Sequence, residues 1–182
     1  MFIQTENTPN PNSLKFIPGK KVLNEGVIEI FEKSQTDNEL VRNIMSVDGV
    51  KSIFLTKDYL SVNKKEDTDW EEIKHIIKSF INDYYSNENE NEIVIDHESN
   101  GEESGDLKEV EKKIIKILDT KIRPAVARDG GDIKFQEFSN GIVKVKLQGS
   151  CSGCPSSTMT LKKGVQNLLC HYIPEVKEVL AI

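Results

Sequence analysis

The chain has 182 residues, of which 24 are Lys or Arg, 30 are Asp or Glu and 37% are hydrophobic. That balance describes a soluble globular protein with room for one or two small domains, and it excludes a large multidomain enzyme. No window approaches the roughly 18 unbroken apolar residues of a membrane span, and residues 1–6 have neither the basic-then-apolar pattern of a secretory signal nor the Arg-rich amphipathic pattern of a transit peptide, so a cytoplasmic protein with no membrane association is expected. Three cysteines, Cys151, Cys154 and Cys170, make no disulfide framework. In a reducing compartment an odd count points to metal or redox chemistry.

In chain order, residues 1–85 form the first expected domain. Two extended runs flank the turn Asn7-Thr8-Pro9-Asn10-Pro11-Asn12-Ser13, the second being Leu14-Lys15-Phe16-Ile17 before Pro18-Gly19. A helix follows near 38–45, then strands at 50–55 and 59–63 joined by Thr56-Lys57-Asp58. Residues 70–85 carry Ile73, Ile76, Ile77, Phe80, Ile81 and Tyr84 at helical spacing. The order β-β-α-β-β-α describes an open α/β sandwich.

Residues 86–106 hold eight acidic side chains and no Lys or Arg. This stretch is too polar to bury a core and is expected to be a hydrated linker. Its apolar triplet Ile93-Val94-Ile95 is read as a strand fragment or a docking spot.

Residues 107–182 form the second expected domain. Leu107, Val110, Ile114, Ile117, Leu118 and Ile122 recur at helical intervals until Arg123-Pro124 kinks or ends the helix. Strands at 133–138 and 142–147 are joined by Ser139-Asn140-Gly141, whose Asn-Gly pair signals a hairpin. The loop Gly149-Ser150-Cys151-Ser152-Gly153-Cys154-Pro155 leads into a helix bearing Leu161, Val165, Leu168, Leu169 and Tyr172. Residues 176–182 then close the sheet, giving α-β-β-α-β. The whole is a mixed α/β (α+β) chain of two small domains.

Cys151 and Cys154 therefore sit between a strand and a helix. Pro155 suits a first helical turn, and the exposed N–H groups of that turn favour thiolate, the metal-binding form of cysteine. Gly149 and Gly153 let the backbone bend tightly. Two thiolates are half of what a tetrahedral zinc site or an iron–sulfur cluster takes from protein. His75 and His97 lie outside the domain, and Cys170 and His171 lie about 16 residues along a helix, about 24 Å at a rise of about 1.5 Å per residue. One subunit cannot complete the site, whereas two copies around a two-fold axis supply four thiolates in a shared, exposed and easily surrendered cluster. Thioredoxin-like thiol–disulfide exchange is the alternative, because that chemistry also uses a CxxC between strand and helix; zinc binding or inert structural cysteines complete the possibilities.

Arg123-Pro124, Asp129-Gly130-Gly131-Asp132, Leu147-Gln148-Gly149-Ser150, the cysteine loop through Ser157, and Ile173-Pro174-Glu175-Val176 closely resemble the NifU-like C-terminal domain. In the front half, Thr8 through Phe16 and Asp48-Gly49-Val50-Lys51-Ser52-Ile53-Phe54 are similar to the N-terminal domain of Nfu scaffold proteins. The resemblance covers nearly the whole chain apart from the linker. It implies that Cys151 and Cys154 of two subunits bind a 4Fe-4S cluster, bridging a homodimer, and that the cluster is passed from a donor to apo iron–sulfur recipient proteins.

The remaining features have plainer explanations. A glycine turn accounts for Asp129-Gly130-Gly131-Asp132 without acid/base chemistry. Cys170 departs from the two-cysteine pattern and is read as a small hydrophobe filling the core; His171 is read as a helix C-terminal cation. The second domain has 13 basic and 8 acidic residues, but only two of the basic ones are Arg, and no aromatics interleave with them. That pattern suits a solvated face or an acidic partner rather than nucleic acid. No catalytic arrangement is present, so a carrier rather than an enzyme is expected.

Overall fold

Alternating apolar side chains fold the front of the chain into a five-stranded antiparallel sheet. The computed structural model describes residues 2–86, 93, 108–152 and 155–182, with the backbone alone at 155–157. Two units divide the chain, Met1–Asp96 and His97–Ile182. In the first, β1 (Gln4–Asn7), β2 (Ser13–Ile17), β3 (Ile28–Ile30), β4 (Val50–Leu55) and β5 (Leu60–Lys64) lie in the order β1-β2-β5-β4-β3. Register pairs Val62 with Leu14 and Ile53, and Leu60 with Phe16 and Leu55, so these side chains share one face of the sheet. Against that face, α1 (Glu39–Met45) buries Leu40, Val41 and Ile44, and α2 (Trp70–Ser86) buries Ile73, Ile77 and Ile81 at intervals of one helical turn. The Asn38 side chain accepts the Val41 N–H at 3.1 Å and so fixes where α1 begins.

Two features of this unit differ from expectation. Strand β3 is only Ile28-Glu29-Ile30, too short to show a period, and it is a strand because Ile28 and Ile30 pair with Leu55 and Ile53 of β4. Ile93 is fully buried in the same core, donating its N–H to the Val22 carbonyl at 2.9 Å and pairing with Leu23 in a parallel bridge. The first residue of the apolar triplet therefore belongs to the front core and not to a solvated linker. Val94 and Ile95 lie outside the described residues.

In the second unit α3 (Glu109–Ile117) widens into a π-helical turn (Leu118–Ile122) and continues as α4 (Arg123–Arg128). Pro124, in the first turn of α4, lacks the N–H that would close the next bond of the ladder, and the widened turn precedes it. The expected break is thus a change of helical form. Next come β6 (Gly131–Ser139), β7 (Ile142–Gly149), α5 (Pro155–Tyr172) and β8 (Glu178–Ala181), with β7 antiparallel to β6 and parallel to β8. Asn140 and Gly141 have φ of 52° and 83°, the paired positive values of a type I′ hairpin. Ile133, Val143, Val145, Leu147 and Val179 of the sheet pack with Ile114, Leu118 and Val126 and with Val165 and Leu169 of α5.

Candidate metal centre

Strand β7 delivers Cys151 to the start of α5. Gly149, the last residue of β7, has φ of +67°, which glycine adopts without steric cost, and turns the chain out of the sheet. Ser152 closes that turn by donating its N–H and its hydroxyl to the Gly149 carbonyl at 3.1 and 2.8 Å. The Thr158 hydroxyl, near the start of α5, donates to the Cys151 carbonyl at 3.4 Å. The motif therefore leads into the N-terminus of an 18-residue helix.

Cys151 itself is only 6% exposed and forms part of the apolar core. This differs from the open site the sequence suggests. The reason is the pairing of Gly131 with Gly149, which lays the start of β6 beside the loop. A Cβ at position 131 would stand 2.8 Å from Cys151 Sγ and 2.6 Å from the Gln148 carbonyl oxygen, so glycine alone leaves room for the sulfur. The neighbouring Ser150 is tied to the same turn, its N–H donating to the Gly130 carbonyl at 3.2 Å and its hydroxyl to the Asp129 carbonyl.

Behind that turn stands Arg123. Its Nε is 3.0 Å from Asp132 Oδ1, its Nη1 is 2.8 Å from Asp119 Oδ1, and its Nη2 donates to the Ile133 carbonyl at 3.2 Å. Asp132 is buried, and its carboxylate is held in this ion pair, which agrees with a structural reading of residues 129–132. Gly131, Asp132, Arg123 and Ser150 as supports of Cys151 are not evident from the sequence. A glycine opening a strand was the one available signal of close approach.

Gly153 and Cys154, the other half of the motif, lie outside the described residues. Among the described residues no three His, Cys, Asp or Glu side chains gather around a point where a metal ion could sit. Cys170 is half-buried against the core of its unit, as a small hydrophobe would be, and His171 is exposed in the last turn of α5. No described helix is long and apolar enough to cross a membrane.

Two successive α/β units, the second carrying a thiol loop between strand and helix, define a class of small two-domain thiol proteins. Comparison with known proteins narrows it. The family described as scaffold protein Nfu/NifU N terminal matches residues 3–88, and the NifU-like domain matches residues 114–180. Over 98% of its length the chain is 45% identical to the human protein named NFU1 iron-sulfur cluster scaffold homolog, mitochondrial, and covers 71% of it. It is 43% identical to the Drosophila ananassae protein of the same name over 98% of its length, spanning 63% of that relative. A solution structure of a NifU-like protein from Saccharomyces cerevisiae aligns with 47% of this chain and 79% of its own, at 26% identity and a TM-score of 0.43. The chain belongs to the NFU1 family of iron–sulfur cluster scaffold proteins.

The mitochondrial names of these relatives overturn the cytoplasmic placement. That expectation rested on the composition of residues 1–6, a weaker indicator than the names of relatives that match 98% of the chain. The matching families lend no support to thiol–disulfide exchange.

Proposed function

We propose that this chain is a mitochondrial scaffold and carrier that accepts an iron–sulfur cluster from a donor and passes it to apo-proteins. The cargo is a 4Fe-4S cluster held between two copies of the chain, each giving Cys151 and Cys154. What supports this reading above all is the placement of Cys151 at the junction of β7 and α5, in a chain that brings one motif of two cysteines. A cluster of this type takes four protein ligands, so a second motif comes from a second copy. A two-fold axis makes the two halves equivalent, and parting the subunits removes half of the ligands and frees the cargo.

The role is carriage rather than catalysis. The front unit contains no cysteine up to Tyr85 and only one histidine there, His75, so it holds no cluster by itself and serves to recognise the donor or the recipient. Tethering it to the cysteine unit raises the effective concentration of a bound partner near the cluster. Anaerobic reconstitution with iron and sulfide, followed by incubation with an apo-4Fe-4S enzyme, tests the reading. The loaded chain is expected to activate the enzyme, and Cys151→Ser and Cys154→Ser chains are expected not to. Normal loading of Cys154→Ser would sink the proposal.

A further inference from the structure

The geometry points to Arg123 and Asp132 as positioning residues that set where the Cys151 thiol sits, acting through Gly131. The inference deepens the scaffold reading and rests on it for its consequence, because a ligand sulfur must be presented in a fixed place.

One guanidinium joins two elements. Through Asp119 it is anchored to the helical stretch that contains it, and through Asp132 and the Ile133 carbonyl it grips the start of β6. Three nitrogens of the guanidinium make these contacts at once, the one to Asp132 being an ion pair at 3.0 Å without hydrogen-bond geometry, whereas lysine offers a single point of charge. Asp132 is 4% exposed while the Arg123 side chain is 42% exposed, so it is the carboxylate that is stranded when the pair is broken by loss of its cation. The residue before Asp132 is Gly131, whose bare Cα faces the sulfur. The two residues before that, Asp129 and Gly130, accept both Ser150 hydrogen bonds, and Ser150 precedes Cys151. Gly131 and the two Ser150 hydrogen bonds therefore bring one turn against the thiol, the Ser150 hydroxyl itself standing 3.9 Å from Cys151 Sγ, and Arg123 holds that turn.

The test uses the cluster-free, full-length chain. Alkylation by iodoacetamide is followed at each cysteine by mass spectrometry, with Cys170, on the far part of α5, as an internal reference. Arg123→Gln and Asp132→Asn are each expected to raise the Cys151 rate about tenfold, through local opening, while leaving the Cys170 rate within about twofold. The double variant is expected to match Arg123→Gln, because removing Arg123 already breaks the pair along with its contacts to Asp119 and the Ile133 carbonyl. Arg123→Lys is expected to fall between them and the unaltered chain.

Parallel rises at Cys151 and Cys170 would mean general loosening and overturn the inference. An unmoved Cys151 rate in folded variants would overturn it as well. Iron uptake, measured separately, distinguishes the two readings. A Cys151 rate that responds as stated in a chain that never loads cluster removes the scaffold reading and leaves the seat. Normal loading with an unmoved Cys151 rate in Arg123→Gln removes the seat and leaves the scaffold.

Discussion

The loop at residues 8–13 of the front unit and the loop that follows β7 in the back unit are both short and rich in small polar residues, yet they are held differently. In the first, Asn10 N–H donates to the Thr8 hydroxyl at 3.2 Å, that hydroxyl donates to the Ser13 carbonyl at 3.1 Å, and the Asn12 N–H donates to the Asn10 side chain at 2.9 Å. Lys64 Nζ and Trp70 Nε1 then pin the loop from outside, at 2.9 Å to Asn12 Oδ1 and 3.0 Å to the Pro11 carbonyl. In the second, the turn at 129–132 holds Ser150 and sets a bare glycine against the thiol, while Thr158 of α5 donates to the Cys151 carbonyl. The front loop is bonded within itself and to β5 and α2, with Asn10 and Ser13 buried. The back loop is a thiol on a seat supplied by another element, which suits a ligand that must be held and then used.

The largest effect expected from breaking this contrast is at the thiols. Cys151→Ser or Cys154→Ser is expected to abolish cluster loading, read as iron and sulfide per chain. Next is the seat. Gly131→Ala places a Cβ against Cys151 Sγ and the Gln148 carbonyl. Overpacking of this kind costs roughly 1–3 kcal/mol, so a lowered denaturation midpoint and reduced loading are expected together. A normal midpoint with normal loading would show that the seat yields freely.

Removing the front unit tests the other side of the comparison. Each unit has its own buried core, so residues 108–182 are expected to assemble cluster at the full-length level. Transfer to recipients at low protein concentration is expected to slow. Equal transfer rates for several recipients would remove the recognition role. The smaller effects sharpen the contrast. Thr8→Ala loses local hydrogen bonds worth about 1 kcal/mol and is expected to lower stability without touching loading. Cys170→Ala, at a half-buried site, is expected to leave loading unchanged and to cost still less stability.

What was legible in the sequence follows the same division. The Asn140-Gly141 hairpin and the four-residue spacing of Ile73, Ile77 and Ile81 are local patterns, and each forms the element its pattern specifies. The motif of Cys151 and Cys154 was visible because cysteine is scarce and its spacing is chemical. Contacts between distant residues left no such trace. Ile93 sits among acidic neighbours, and only its pairing with Leu23 makes it core. Strand β3 exists through β4. Arg123 and Asp132 look like two ordinary surface charges until the fold sets them 3.0 Å apart, and the burial of Cys151 depends on a strand register that no local rule states.

In the proposed carrier one cluster is shared by two copies through Cys151 and Cys154. Native mass spectrometry of the anaerobically reconstituted full-length chain addresses it most directly, since it weighs protein and metal together. The account predicts a dimer carrying a single 4Fe-4S cluster, falling apart to cluster-free monomers when the cluster is removed by a chelator. A monomer carrying a complete cluster would contradict it.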